Sequence, residues 1–352
     1  MIYKKVENQR FSKMKKNIFN KFLSGGVLIL LIIACMIKIH SILSFPKIDK
    51  WNYQQLQKID KTKNKFEFIV FGDNKNSVKT FENLIEKVNE EEALFAIALG
   101  DLVYDGEKEK FRFFINQIKN LNKPLLTAIG NHEITDMGRA NYYELFGKFY
   151  YSFATDSSYF IILDNANETD LDAWQMNWLE NELQISQNYK YRFIFMHVPL
   201  YDPQKSKHIT DHCLKDSAFS KKLNNLFDMN NITMLFCSHI HGYYNGIWGK
   251  TPYIITGGAG AELHGSDLQH HFYHYIKVNV SDNDVKYEVV RIRSPKFEFI
   301  NRLIHIAWIY IYAFFAIKFW DSIIILALIY LGFYIIFIKK EWLILNLRKK
   351  RK

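Results

Sequence analysis

The feature that most constrains this chain is where its short apolar runs stop. Residues 66–71, 94–99 and 125–129 have the length and make-up of buried strands. Each ends in glycine followed by a polar side chain: Gly72 and Asp73, Gly100 and Asp101, and Gly130 with Asn131, His132 and Glu133. Between them Phe81, Leu84, Ile85 and Val88 recur at helical spacing, as do Phe111, Phe114, Ile115 and Ile118. Strands alternating with amphipathic helices predict an α/β fold, a sheet covered by helices. In such a sheet ligands gather beyond the carboxyl ends of the strands, so residues about 30 positions apart can meet there. Further on, 150–164 reads as a hairpin and 171–185 as an amphipathic helix. Two more strands, at 193–196 and 234–237, run into His197 and into Ser238, His239, Ile240 and His241. Residues 253–255 lead into the turn 257–260, and 273–280 with 285–292 read as a closing hairpin.

The two ends of the chain are built differently. Residues 22–37 are apolar apart from Ser24 and two glycines, and seven Lys or Arg precede them against one Glu7. That pattern predicts a signal anchor with its N-terminus inside, extended to about residue 45 if Lys38 snorkels. A cleaved signal peptide and a lipoprotein signal at Cys35 are the alternatives. Residues 303–317 and 322–338 are two more apolar runs, neither with a polar helical face, which predicts membrane helices rather than core ones. Three spans would place the two basic tails on opposite sides, in conflict with the positive-inside rule. The expected organisation is a basic N-terminus and membrane segment at 1–45, a linker at 46–64, a catalytic domain at 65–293, a hydrophobic membrane region at 300–338 and a basic tail at 339–352.

The net charge of +10 does not indicate nucleic acid. Each tail carries +7, and residues 46–300 hold 29 bases against 33 acids. Bases beside apolar runs orient a membrane protein or touch anionic lipid, whereas a nucleic-acid binder carries its basic stripe on the folded domain. The three cysteines, Cys35, Cys213 and Cys237, make no disulfide framework legible.

Taken alone, Gly-Asp is an ordinary turn after a strand. Five strand ends supplying Asp, Asp, Asn, His and His-x-His offer mixed oxygen and nitrogen donors, suited to Fe, Mn or Zn rather than Mg or Ca. They exceed one tetrahedral site. Two ions about 3.5–4 Å apart need a carboxylate between them, and Asp101 is the natural bridge.

In order and spacing these motifs resemble the calcineurin-like metallophosphoesterase superfamily over residues 65–293. The resemblance implies a two-sheet β-sandwich flanked by helices, a four-layer αββα core, with transmembrane helices expected at both ends. It implies Asp73 and His241 on one ion, Asn131, His197 and His239 on the other, and Asp101 on both. His132 would meet the substrate phosphate and leaving oxygen, with Glu133 as its hydrogen-bonding support. Many members have Asp-x-His in the first motif, but position 75 here is Lys. The second motif, Gly100-Asp101-Leu102-Val103-Tyr104, is similar to that of the purple acid phosphatases, in which the tyrosine binds the first ion, so Tyr104 is a candidate metal ligand, with a packed aromatic as the alternative. Ser238 stands where the family usually has glycine, and tighter packing is expected there. Lys75 either neutralises a substrate phosphate or is a solvated surface lysine. His208, His212, His264, His270, His271 and His274 are read as core or turn residues.

The expected activity is hydrolysis of a phosphoric ester, monoester or diester, with a metal-bridging hydroxide as nucleophile. The alternative is an inactive phosphoesterase fold serving as a membrane-bound scaffold. The expected partners are a phosphate ester and the lipid bilayer, without nucleic acid. The protein is expected to be integral to the membrane, its catalytic domain extracytoplasmic.

Overall fold

The computed structural model describes residues 22–40, 43, 50–204, 212–265, 267–293 and 319–349. The expected apolar run at 303–317 lies outside them. Two compact units result: the middle of the chain, Lys47–Ile309, and the two chain ends.

In chain order the elements are helix α1 (Phe22–His40), helix α2 (Trp51–Leu56), strand β1 (Phe66–Phe71), helix α3 (Lys79–Glu90), strand β2 (Phe95–Ala98), helix α4 (Lys108–Ile118) and strand β3 (Leu125–Thr127). There follow a 3₁₀ turn (His132–Ile134), helix α5 (Gly138–Phe146), strands β4 (Tyr151–Ala154) and β5 (Ser158–Ile162), helix α6 (Ala173–Ser186), strand β6 (Tyr191–Phe195) and helix α7 (Ser217–Met229). Strands β7 (Met234–Cys237), β8 (Tyr243–Trp248), β9 (Thr251–Thr256), β10 (His274–Val280) and β11 (Val285–Arg291) complete the middle unit, and helix α8 (Phe319–Lys349) closes the chain.

The strands form two mixed sheets, of five in the order β11-β10-β1-β2-β3 and of six in the order β4-β5-β6-β7-β9-β8. Within them β1, β2 and β3 are parallel, as are β5, β6, β7 and β9. The apolar runs are continuous because each central strand is covered on both faces. Phe68, Val70, Phe160, Ile162, Phe193 and Phe195 point between the sheets. Their alternates Ile161, Leu163, Ile194 and Met196 point outward, onto Leu179 and Leu183 of α6 and Leu223 and Phe227 of α7. On the other side Phe71 meets Phe81 of α3 at 5.8 Å, and Phe81 meets Phe114 of α4 at 6.0 Å. The result is a four-layer core of helices, sheet, sheet and helices. Each fully buried phenylalanine contributes about 2 kcal/mol relative to an exposed one, so this stack holds the two sheets in one register.

Residues 51–56, inside the stretch expected to be a linker, are the helix α2. It covers β3, the edge of the five-stranded sheet, where exposed backbone groups need partners. Trp51 Nε1 donates to the Leu125 carbonyl at 2.8 Å, and the Thr127 N–H donates to Asn52 Oδ1 at 2.9 Å.

In the other unit, α1 and α8 are antiparallel: Ser24 Oγ is 3.4 Å from the Tyr330 hydroxyl, and Lys38 Nζ is 3.0 Å from Asp321. Small residues are the buried ones here, Ser24, Ala34 and Ala327, while Leu30, Ile32, Leu326 and Ile336 are exposed. That is how helices pack when their large apolar side chains face lipid. By length and composition Phe22–His40 and Phe319–Ile336 are candidate membrane spans. Lys38 is paired with Asp321, a neutralising contact the sequence analysis did not anticipate.

Candidate metal centre

Because the central strands are parallel, their carboxyl ends carry Asp73, Asp101, Asn131, His197, His239 and His241 to the same edge of the sandwich. The loops there are strained into place. Asp73 has φ 60°, Asp101 φ 50° and His239 φ 68°, values uncommon for residues with side chains and characteristic of functional sites. Gly100 has φ 88°, and a Cβ there would lie 2.7 Å from the Gly130 nitrogen, so glycine alone lets the second and third loops touch.

Asp101, His197 and His239 each offer a ligand atom within 4.8 Å of the others, and so do Asp73, Asp101 and His241. Asp101 belongs to both groups. Asn131 Oδ1 is 2.9 Å from His197 Nε2 and 3.1 Å from His239 Nδ1. His197 Nε2 is in turn 3.2 Å from Asp101 Oδ1.

The donor chemistry of this group fits a cation. His197 Nδ1 lies 2.8 Å from the Leu99 carbonyl, which can only accept, so Nδ1 carries the proton and Nε2 of the neutral ring presents a lone pair. Four converging atoms, Asp101 Oδ1, Asn131 Oδ1, His197 Nε2 and His239 Nδ1, thus have at most one proton among them. In the other group, His241 Nδ1 is 2.5 Å from the Glu262 carbonyl, turning Nε2 toward Asp73 Oδ1 at 3.8 Å. That Asp73 oxygen is buried and has no hydrogen-bond partner among the described residues. A buried carboxylate oxygen without a donor is costly, and a metal ion satisfies it.

Electrostatics favour the ligating forms of the three imidazoles and Asp101 and oppose that of Asp73. Burial pushes His239 down to about 3, with His197 adding to the effect, and burial likewise lowers His197 and His241, which favours the ring form that presents a lone pair. Burial opposes the Asp101 carboxylate, yet His197, Lys75, His132 and His239 hold it well below the usual carboxylate range. Burial and then the charge of Asp101 push Asp73 well above that range, which Lys75 only partly offsets.

His132 and Glu133 support this arrangement in different ways. His132 Nδ1 is 2.5 Å from the Tyr104 carbonyl, which leaves Nε2 facing Asp101 Oδ2 at 3.8 Å on the wall of the cavity. Glu133 is fully buried. It accepts from the N–H groups of Gly130 at 2.7 Å, Asp101 at 2.8 Å and Val103 at 3.0 Å, tying the second loop to the third. Burial and then Asp101 push its carboxyl up to about 8 against those three donors.

Tyr104 stands beside His132, ring centroids 6.0 Å apart, with the Lys110 ammonium 5.2 Å from its ring. Lys75 is no solvated surface lysine: its side chain is 17% exposed and Nζ lies 3.3 Å from Asp101 Oδ2. Ser238 is packed tightly against Gly72, where a Cβ would lie 2.4 Å away, and its hydroxyl donates to the Leu99 carbonyl at 2.8 Å.

The cavity over the cluster, about 240 Å³, is lined by Lys75, Asp101, Asn131, His132, His239 and His241, and also by Gln204, His212 and His264. The sequence analysis left His212 and His264 outside the site. His264 stacks on His241 at 5.0 Å and His212 lies 5.9 Å from His239. Asn165 was also missed. Its Oδ1 accepts from the His197 and Val198 N–H groups at 3.0 and 3.1 Å, fixing the turn that aims His197. Its only sequence signal is a position just past strand β5, one more strand end at the same edge.

The profile of the calcineurin-like phosphoesterase family matches residues 66–243, just over half of the chain. A probable cyclic nucleotide phosphodiesterase of Xenorhabdus bovienii is 26% identical over 179 residues, covering 47% of this chain and 70% of that protein. The 3′,5′-cyclic adenosine monophosphate phosphodiesterase CpdA of Haemophilus influenzae is 22% identical over 240 residues, covering 63% and 84%. Among solved structures, a purple acid phosphatase from yellow lupin (Lupinus luteus) seeds superposes with a TM-score of 0.53 at 17% identity, covering 65% of this chain and 53% of its own. This chain therefore spans about half the length of the lupin enzyme, and the likeness is one of fold. The matched residues contain the loops that carry Asp73, Asp101, Asn131, His197, His239 and His241, and the chain belongs to the calcineurin-like phosphoesterase family.

Proposed function

We propose that this protein is a membrane-anchored, two-metal phosphoric ester hydrolase. The observation that carries the reading is the pair of ligand groups sharing Asp101, one of them holding the partnerless Asp73 oxygen. In this reading Asp73 and His241 hold the first ion, Asn131, His197 and His239 the second, and Asp101 both. When bound, two such ions supply Lewis acidity and an activated water for in-line attack on phosphorus.

The chain's own residues do the rest. His132, its Nδ1–H donating to the Tyr104 carbonyl, presents Nε2 to the cavity; as the imidazolium it would donate from Nε2 to a phosphate oxygen and pass that proton to the departing alkoxide, returning to the neutral ring. Glu133 holds the two loops that carry Asp101 and Asn131. Tyr104 is an added ligand on the first ion, filling the place of the histidine missing at position 75. Iron-loaded protein would then be coloured, and Tyr104→Phe would bleach it; unchanged absorbance rejects the tyrosinate.

The substrate class is a phosphate ester. Both curated relatives are named as cyclic nucleotide phosphodiesterases, and the lupin structure as a purple acid phosphatase. Full-length protein in detergent, stripped and reloaded with manganese(II), is expected to release product from a simple monoester or a simple diester assayed side by side. Turnover that survives complete metal removal, or none on either ester after loading, rejects the hydrolase.

Among the described residues, the antiparallel α1 and α8 support two spans. The basic residues before α1 and those after the apolar window of α8 then share one face, the cytoplasmic one, satisfying the positive-inside rule. The middle unit, joined between the two opposite helix ends, lies on the extracytoplasmic side. Protease added to intact cells should cut this unit; protection until the cells are broken contradicts the orientation.

A further inference from the structure

The two ligand groups differ in one respect that their family pattern does not explain. Lys75 lines the cavity with its Nζ 3.3 Å from Asp101 Oδ2, whereas His197 Nε2 lies 3.2 Å from the other oxygen, Asp101 Oδ1. It is carried on the same left-handed loop as Asp73, which puts it on the side of Asp73, Asp101 and His241, and among the described residues it is the single lysine lining the cavity.

Its position is built in. Asp73, Lys75 and Asn76 all have left-handed backbone, φ 60°, 42° and 54°, conformations that persist only where the surroundings impose them. The surroundings are the second loop. The Lys75 N–H donates to the Asp101 carbonyl at 2.9 Å, Asn74 Nδ2 to the Leu102 carbonyl at 2.8 Å, and Asn76 Nδ2 to the Lys110 carbonyl at 2.9 Å. Asn76 Oδ1 accepts from the Tyr104 N–H at 2.9 Å. This lacing turns the lysine inward, where it is largely shielded from water and its charge acts at short range.

A tethered ammonium among the ligands of one ion competes with that ion. It neutralises part of the charge of Asp73 and Asp101, and an arriving divalent cation must push it aside or sit against it. The second group meets this ammonium through the shared Asp101. Resting on the two-metal reading above, we infer that Lys75 is a built-in competitor for the first cation. The chain takes one ion tightly at Asp101, Asn131, His197 and His239. It takes the other weakly at Asp73, Asp101 and His241, with Tyr104 as the added ligand, after Lys75 is displaced. Where metal is scarce, the resting centre is one ion plus the lysine ammonium.

The test is a titration of metal-stripped, full-length protein in detergent with manganese(II), read by calorimetry and by the electron paramagnetic resonance signal of a spin-coupled manganese pair. Wild type is expected to bind one equivalent tightly and a second at least about a hundredfold more weakly. Lys75→Met, which removes the charge, and Lys75→His, which adds a ligand, should each tighten the second equivalent by at least about tenfold and bring in the coupled signal at lower manganese. Lys75→Arg, which keeps the charge, should leave it weak. Two matched affinities in wild type overturn the inference, and this arm needs no variant to fold. An unchanged second affinity in folded Lys75→Met overturns it as well. A wild-type chain that binds neither ion overturns the two-metal reading and this inference together.

Discussion

The two halves of the candidate centre share Asp101 but are made of different chemistry. One half is a crowd of lone pairs, Asp101 Oδ1, Asn131 Oδ1, His197 Nε2 and His239 Nδ1, drawn within 2.9–3.2 Å contacts that only a cation or a single proton can reconcile. The other half has one partnerless carboxylate oxygen, one imidazole and a lysine. The difference teaches that a recognisable ligand set does not fix how each ion is held. A single residue, Lys75, separates the halves while leaving the fold that gathers them untouched.

The largest effect expected is at the residue the halves share. Asp101→Asn should release both ions and lower turnover by about a thousandfold or more, read as metal content and product release on one preparation. A variant with both ions and near-normal turnover breaks the comparison at its root. Next, the halves should separate when each loses a histidine. His239→Ala should abolish tight binding, by about a hundredfold or more, whereas His241→Ala should keep one tight equivalent after dialysis. Identical losses in the two variants would mean that the halves are one indivisible site.

Smaller effects fall on what supports the centre. Glu133 uses two oxygens to accept three N–H groups, and the amide of Glu133→Gln would set a donor against one of them. Above pH 8, where the Glu133 carboxyl is ionised, metal-free Glu133→Gln should lose about 3 kcal/mol in denaturant unfolding, the penalty for a buried unsatisfied group. No measurable loss would show that the loops do not depend on it. His274 gives the smallest effect, on a histidine outside both halves. Buried, with Nδ1 donating to the Phe272 carbonyl at 2.8 Å and Nε2 accepting from Thr256 at 3.1 Å, it is pushed down to about 4. Unfolded, it takes up a proton near pH 6.5, so between these values the unfolded state binds more protons and stability falls as pH falls. Metal-loaded wild type should lose about 2 kcal/mol more than His274→Gln between pH 7 and pH 5. Equal losses would show that His274 is not the source.

The sandwich was legible because its strands are buried on both faces, which leaves continuous runs such as 66–71 ending in glycine. The ligand loops were legible for the same reason, since a parallel sheet brings its strand ends to one edge. Helices α2, α5 and α7 were not read from the sequence. Residues 51–56 pair Trp51 and Asn52 with backbone groups of β3, contacts that make no apolar periodicity. His212 and His264 were missed because nothing in their spacing names a partner; the fold alone brings them to the cavity. Lys75 was visible as a departure, but whether it faced solvent or Asp101 depended on the left-handed loop 73–76.

Anomalous scattering from crystals of the full-length protein grown with manganese tests the central claim most directly. The account predicts a strong peak among Asp101, Asn131, His197 and His239, and a weaker one beside Asp73 and His241 that grows with manganese concentration. Peaks confined to other parts of the molecule, or a cluster that stays empty at saturating metal, would contradict it.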